Sequence, residues 1–350
     1  MLKSYQKTSQ GIFILTLLAV FIFPARPLPA QPLRVCATVP ELGSLFREIG
    51  GDQVMVTVFA KGTEDAHFVE AKPSFIKALN ACDVYGQIGL ELEVGWAPVL
   101  LREARNAKVL TGAAGYLNAA DVITPLDAPT APVDRSMGDV HPFGNPHFLL
   151  DPLNGLKVAA FIRDRLREIR SDVAPYFSDR YDQFRQRLGN ALVGNFLAQK
   201  YEFEKLALLF ARGKLNEFLQ SQGEASHLGG WLAAMAPYHN VKVIVDHNLW
   251  PYFLERFGLQ LAGTLEPKPG IPPTTAHLQK VIDIIKTNDI KVVLTTAYYD
   301  PRYAEFVSEN TGATVVNMAH QAGARPGTDE YIAWMDYNIR QLTVALGHDA

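Results

Sequence analysis

A chain of 350 residues that is 48% hydrophobic and 20% charged, with 33 basic against 36 acidic side chains, carries a formal net charge of -3 and two cysteines. That composition excludes a disordered tail, a disulfide-stapled miniprotein and a polybasic nucleic-acid binder. The length suits about two domains, each able to bury its own core without disulfides or structural metals.

The first thirty residues differ from the rest. Met1–Ala30 holds Lys3, Lys7 and Arg26 and no acidic residue, so the remainder has 30 basic against 36 acidic side chains, a net charge of -6. Lys3 and Lys7 precede the apolar run GIFILTLLAVFIF, Gly11–Phe23, and the helix-breaking PARPLPA. This is the pattern of a secretory signal peptide cut near Ala30. The run is 13 residues long, whereas a membrane span takes about 20. A lipid anchor needs a Cys at the cleavage point, and the nearest, Cys36, follows LRV. The expectation is a soluble, exported protein. Cys36 and Cys82 would then meet an oxidising compartment where a disulfide is permitted, although their apolar surroundings suit buried free thiols equally well.

From Leu33 short β-branched runs alternate with amphipathic stretches. LRVCATV predicts a strand, ELGSLFREIGG a helix closed by Gly50 and Gly51, QVMVTVFA a strand, KPSFIKALNAC a helix and DVYGQIG a strand. This βαβαβ order implies a parallel sheet with right-handed crossovers. Ala113–Gly144, rich in Ala, Pro and Asp, predicts a surface loop. Pro152 to about Phe218 predicts helix, a connector between two αβ regions. The alternation then resumes with VKVIVD, NLWPYFLERFG, QLAGTL, TTAHLQKVIDIIKTND, KVVLTTA, YAEFVSENTG, ATVVNM and a last helix through DEYIAWMDYNIRQLTVAL. The fold class expected is α/β, as two αβ lobes with parallel-rich sheets bridged by helix. The boundaries are 1–30 for the leader, 31–151 for the first lobe, 152–235 for the helical connector and 236–350 for the second lobe.

The nine histidines are the informative part of this pattern. His67 lies just past a strand, in AKGTEDAHFVEAKPS; His247 follows a strand directly, in VIVDHNLWPYF; His147 lies in the Gly/Pro loop GDVHPFGNPHFLLDP. Ligands in open αβ sheets bind beyond the carboxyl ends of strands, where such loops gather. A lone loop His is usually a surface or structural residue, but three at strand-end loops suggest convergence on zinc or a related ion. His320, after the strand ATVVNM, is the candidate for a fourth ligand. His141 is read first as a solvated surface residue and only second as an accessory ligand. His227, His239, His277 and His348 are read as structural or solvated.

Four ordered segments, DAHFVEAKPS, NPHFLLDP, DHNLWPYFLERFGL and TTAYYDPRYAEFVSENTGATVV, carry a resemblance to the zinc and manganese solute-binding proteins of ABC importers, the ZnuA/TroA-type family. The resemblance spans almost all of the mature chain. It implies two αβ lobes bridged by a long rigid helix, one metal between them, and ligands at His67, His147 and His247. Manganese members similar to this pattern usually carry Glu at the third position, so His247 favours Zn²⁺ over Mn²⁺, as imidazole nitrogen does in general. Where the family usually has an Asp after the last strand, NMAHQAG holds no acid, which leaves His320, a water or another carboxylate for the fourth bond. Zinc members often carry a His- and Asp-rich loop before the second ligand. Here that loop holds only Asp121, Asp127, Asp134, Asp139 and His141, and no metal-gathering role is carried over to it.

The function expected is therefore a periplasmic receptor, a monomer, that captures Zn²⁺ and presents it to an inner-membrane ABC permease and its ATPase, with no nucleic-acid partner. Three imidazoles and one further ligand would make a near-tetrahedral site with bonds of about 2.0–2.1 Å. Affinity should fall as pH drops through roughly 6.5. Asp65, Glu70, Asp151 and Asp246 are candidates to hold ring N–H groups or stabilise loops, with Asp151 doubling as a helix cap. The rival readings are a manganese-specific binder, a secreted zinc hydrolase using the same cluster, and an adhesion or chaperone module with incidental metal. Against the hydrolase, and for a non-enzyme, the sequence has no HExxH and no Ser or Cys nucleophile motif; Glu70 is the best local base it offers.

Overall fold

Pro40 opens the first helix and Pro152 the first helix of the connector, each at a first helical position where its missing N–H costs nothing. The computed structural model describes residues 31–130, 141–268 and 271–347. The expected leader, with its cleavage point, lies outside the described residues, as do Asp134, Asp139 and His348.

The first sheet is built from β1 (Leu33–Ala37), β2 (Val54–Val58), β3 (Val84–Gln87) and β4 (Tyr116–Asn118). Around it run α1 (Pro40–Gly50), α2 (Pro73–Ala81) and α3 (Ala97–Ala104). All pairings are parallel, in the order β2-β1-β3-β4. Leu42, Leu45, Phe46 and Ile49, at helical spacing on α1, are buried. β1 is buried at four of five positions, as a covered parallel strand must be, while edge strand β2 alternates.

Next come α4 (Pro152–Ile169), α5 (Ala174–Val193), α6 (Asn195–Lys200), α7 (Phe203–Ala211), α8 (Leu215–Ser221) and α9 (Gly230–Met235). The connector is thus led by two long helices, α4 and α5, followed by shorter ones. The second sheet contains β5 (Lys242–Val245), β6 (Gln260–Thr264), β7 (Val292–Thr295) and β8 (Thr314–Asn317). Its helices are α10 (Pro251–Phe257), α11 (Thr275–Asn288), α12 (Pro301–Thr311) and α13 (Tyr331–Gly347). It is again all parallel, in the order β6-β5-β7-β8. The two sheets share one topology, and each reverses its direction of growth between its two central strands. One apolar core runs from the first sheet through the helices into the second lobe, and a smaller one, with Ile244, Ile282, Val293 and Val307, backs the second sheet. Among the described residues no helix is long and apolar enough to cross a membrane.

Two elements depart from the expectation. The surface loop predicted over Ala113–Gly144 contains β4, which pairs with β3 and buries Leu117, and a 3-10 turn after it that buries Ala119. Helix α3, with Leu100 and Ala104 buried, went unpredicted. Cys36 on β1 and Cys82 at the end of α2 are buried free thiols in side-chain contact; the Cys82 hydrogen bond and then burial push the Cys36 thiol far up.

Candidate metal centre

The carboxyl ends of both sheets face a common region where five histidines meet. His67 lies in a 3-10 turn, Ala66–Phe68, beyond β2. Asp65 caps that turn: its Oδ1 accepts the His67 backbone N–H at 3.0 Å and lies 2.6 Å from His67 Nδ1. A carboxylate can only accept, so Nδ1 carries a proton directed at Asp65. Burial works against ionisation of Asp65, but the bonds and charge of His67 outweigh it and hold the carboxyl below its ordinary range.

His147 precedes the 3-10 turn Phe148–Leu150 that leads into α4, and its N–H donates to Asn145 Oδ1 at 3.0 Å. Its ring is 5.5 Å from the His67 ring and 4.6 Å from the His320 ring. Burial, then the neighbouring His320, lowers its pKa well below the usual value.

His247, directly beyond β5, is buried. Its N–H donates to Asp246 Oδ1 at 2.9 Å, while Asp246 Oδ2 accepts the Thr296 N–H at 2.6 Å and the Thr296 hydroxyl at 2.9 Å. Glu266, just after β6, places an oxygen 3.6 Å from His247 Nδ1. Burial lowers His247 to about 4 and raises Asp246 to about 7.

His320, beyond β8, is 5% exposed; the Tyr298 hydroxyl is 2.9 Å from its Nδ1, and its buried Nε2 has no partner. Burial depresses it to about 3. The loop that carries it is pressed onto the first lobe. Gln321 Nε2 donates to the Glu64 carbonyl at 2.8 Å, and a Cβ on Gly62 would lie 2.3 Å from the Ala322 carbonyl oxygen.

The structure thus sets the rings of His67 and His320 against that of His147, with His247 near enough to interact electrostatically with His147 and His320. It also brings in His141, read from sequence as a solvated surface residue: the half-buried ring stacks on His67 at 5.0 Å with the two Nε2 atoms 2.9 Å apart. Nothing in GDVHPFGNPHF marks His141 for this, because only the folded loop sets it against a residue 74 positions away. Of the supporting carboxylates expected, Asp65 holds a ring N–H and Asp246 a backbone N–H. Asp151 instead caps α4 through Leu153 and forms a buried bidentate pair with Arg256, both at 2.8 Å. Glu70 is exposed beside Lys72. Glu266 was missed. His227, His239 and His277 lie against Glu224, the Phe210 carbonyl and the Thr264 carbonyl.

As they stand, no three His, Cys, Asp or Glu side chains among the described residues have donor atoms set for one ion. The chemistry of the donors nevertheless fits a divalent transition metal: neutral imidazoles kept unprotonated by burial, one with an orphaned nitrogen, and carboxylates behind them.

Known proteins give the same outline. The family model described as zinc-uptake complex component A, periplasmic, matches residues 35–193 and 222–345. A manganese-binding lipoprotein, MntA, of Halalkalibacterium halodurans is 22% identical over 88% of this chain and 87% of its own length. An iron-binding protein, YfeA, of Yersinia pestis is 24% identical over 91% of this chain and 88% of its own. A crystal structure of ZnuA covers 90% of this chain and 98% of its own, with a TM-score of 0.63 at 23% identity, and so shares the fold.

Proposed function

Because the chain belongs to the ZnuA-type family of metal-binding solute-binding proteins of ABC importers, we propose that it captures Zn²⁺ between its lobes and delivers it to a membrane permease and its ATPase. One observation carries the choice of site and ion: four histidines from four sequence-distant loops, His67, His147, His247 and His320, gather at the carboxyl ends of the two sheets. Relatives named for manganese and for iron leave the ion to be decided by the donors. An all-imidazole set supports zinc over manganese, which favours carboxylate and water oxygen.

With this reading go an exported, periplasmic monomer and the division into leader 1–30, lobes 31–151 and 236–350, and connector 152–235. Metal analysis of the purified mature protein tests it. About one zinc per chain, lost in His67→Ala and His247→Ala, is the expected result. Retention of zinc by both variants overturns the ligand assignment.

A further inference from the structure

We propose that two buried primary amides, those of Asn145 and Gln321, are positioning residues that lace the four histidine loops into pairs across the boundary between the lobes. The inference rests on the metal-receptor reading above and adds to it the parts that hold its ligands in register.

Each amide sits beside one histidine and reaches the neighbourhood of another. Asn145, two residues before His147, donates from Nδ2 to the backbone carbonyl of Asn248 at 2.9 Å, and Asn248 directly follows His247. Gln321, directly after His320, donates from Nε2 to the backbone carbonyl of Glu64 at 2.8 Å, three residues before His67. Both side chains are buried, at 8% and 2% exposure, so losing either bond strands a buried carbonyl. His147 is thereby tied to His247, and His320 to His67, each tie running from one lobe to the other. A site assembled from separate loops needs its ligands held to within about half an ångström by the groups around them. The two amides span the gap that the chain itself leaves open.

At Asn145 the two ends of the amide meet opposite needs. Oδ1 accepts the His147 N–H at 3.0 Å while Nδ2 donates to the Asn248 carbonyl. Neither end could serve the other's partner, and a carboxylate would lack the donor. The backbone of Asn145 is fixed as well. Its N–H donates to the Leu126 carbonyl at 2.8 Å, and its carbonyl accepts the Tyr252 hydroxyl at 2.8 Å. That hydroxyl accepts the Leu126 N–H at 2.9 Å, which closes a ring of three bonds. All four polar groups of Asn145 are therefore in use.

The second tie is less complete. Its root is firm: the Ala319 N–H donates to Asn338 Oδ1 and the Ala319 carbonyl accepts from Asn338 Nδ2, both at 2.8 Å, which fixes the residue before His320 within its own lobe. Gln321 Oε1, however, is buried with no partner, which offsets part of what the Nε2 bond contributes. The tie through Asn145 is the firmer of the two.

Zinc dissociation into excess chelator and the visible spectrum of the cobalt(II) form test the proposal on wild type, Asn145→Leu and Gln321→Met. These substitutions remove the amides with little change in volume and none in charge. Outer partners of metal ligands contribute about 10- to 100-fold, so zinc is expected to leave Asn145→Leu at least about tenfold faster, and Gln321→Met faster by a smaller factor, both with altered cobalt spectra. A merely structural role would lower the stability of the metal-free protein and leave the spectrum unchanged. A rate within about threefold of wild type with an unchanged spectrum, in either variant, overturns the proposal. If wild type itself takes up no zinc, the metal-receptor reading falls with it; if wild type binds and the variants match it, the inference alone falls. Hydrogen exchange on wild type guards against misfolding of the variants. Leu126 is outside the histidine loops and its N–H reaches the centre through Tyr252 and Asn145. One equivalent of zinc should slow exchange of the Leu126 amide, and an unchanged rate overturns the proposal.

Discussion

The two lobes share a sheet order and tie their central strands together in the same way, yet use that tie differently. In the first lobe Glu93, beyond β3, accepts the Thr38 hydroxyl at 2.7 Å from beyond β1, along with the Ile88 and Gly89 N–H groups. In the second lobe the carboxylate is on the other side: Asp246, beyond β5, accepts the Thr296 hydroxyl and N–H from beyond β7. Burial raises the pKa of both carboxyls. The difference lies in what comes next along the chain. Asp246 also fixes the N–H of His247, whereas Glu93 touches no histidine in its bonds. The same structural staple is a scaffold in one lobe and part of the centre in the other.

Alanine at each staple breaks that comparison most strongly. Glu93→Ala and Asp246→Ala each strand several buried donors, at about 1–3 kcal/mol apiece, so chemical denaturation should show comparable losses of about 3 kcal/mol or more. Zinc affinity should fall only in Asp246→Ala. Equal effects of the two on affinity would show that the His247 contact is incidental.

A second contrast concerns the ring partners. His67 Nδ1 meets a carboxylate at 2.6 Å, while His247 Nδ1 has Glu266 at 3.6 Å. Asp65→Asn should therefore lower zinc affinity by about 10- to 100-fold, and Glu266→Gln by less, in the same competition assay. The reverse order would mean that the first lobe is not the better organised half.

The smallest effect is on pH. An imidazole binds metal only when deprotonated, and a depressed pKa moves protonation to lower pH. With His247 near 4 and His320 near 3, affinity should stay nearly level from pH 8 to about 6 and weaken below about 5. The sequence alone suggested a fall through roughly 6.5, because burial of the rings was not visible in it. Isothermal titration across that range decides between them.

Much of the frame was legible because its signals are local. The alternation of β-branched runs with amphipathic stretches marked seven of the eight strands. β4 escaped because three residues in an Ala- and Asp-rich stretch carry no period; its pairing with β3 defines it. At the site, His67, His147 and His247 stood out through their strand-end or loop positions and family-like motifs. His141 and Glu266 did not, since each matters only through a partner on another loop. Glu93 was hidden, since an acidic residue reads as surface until a structure shows it at 3% exposure, and Asp246, read as a support for a ring or loop, gave no sign of its bonds to Thr296.

The central claim is that these histidines form a receptor for zinc. Purified mature protein equilibrated with zinc and a large excess of manganese, then desalted and analysed for metal, tests it most directly. The account predicts about one zinc and almost no manganese per chain. Retained manganese, or no bound metal at all, would contradict it.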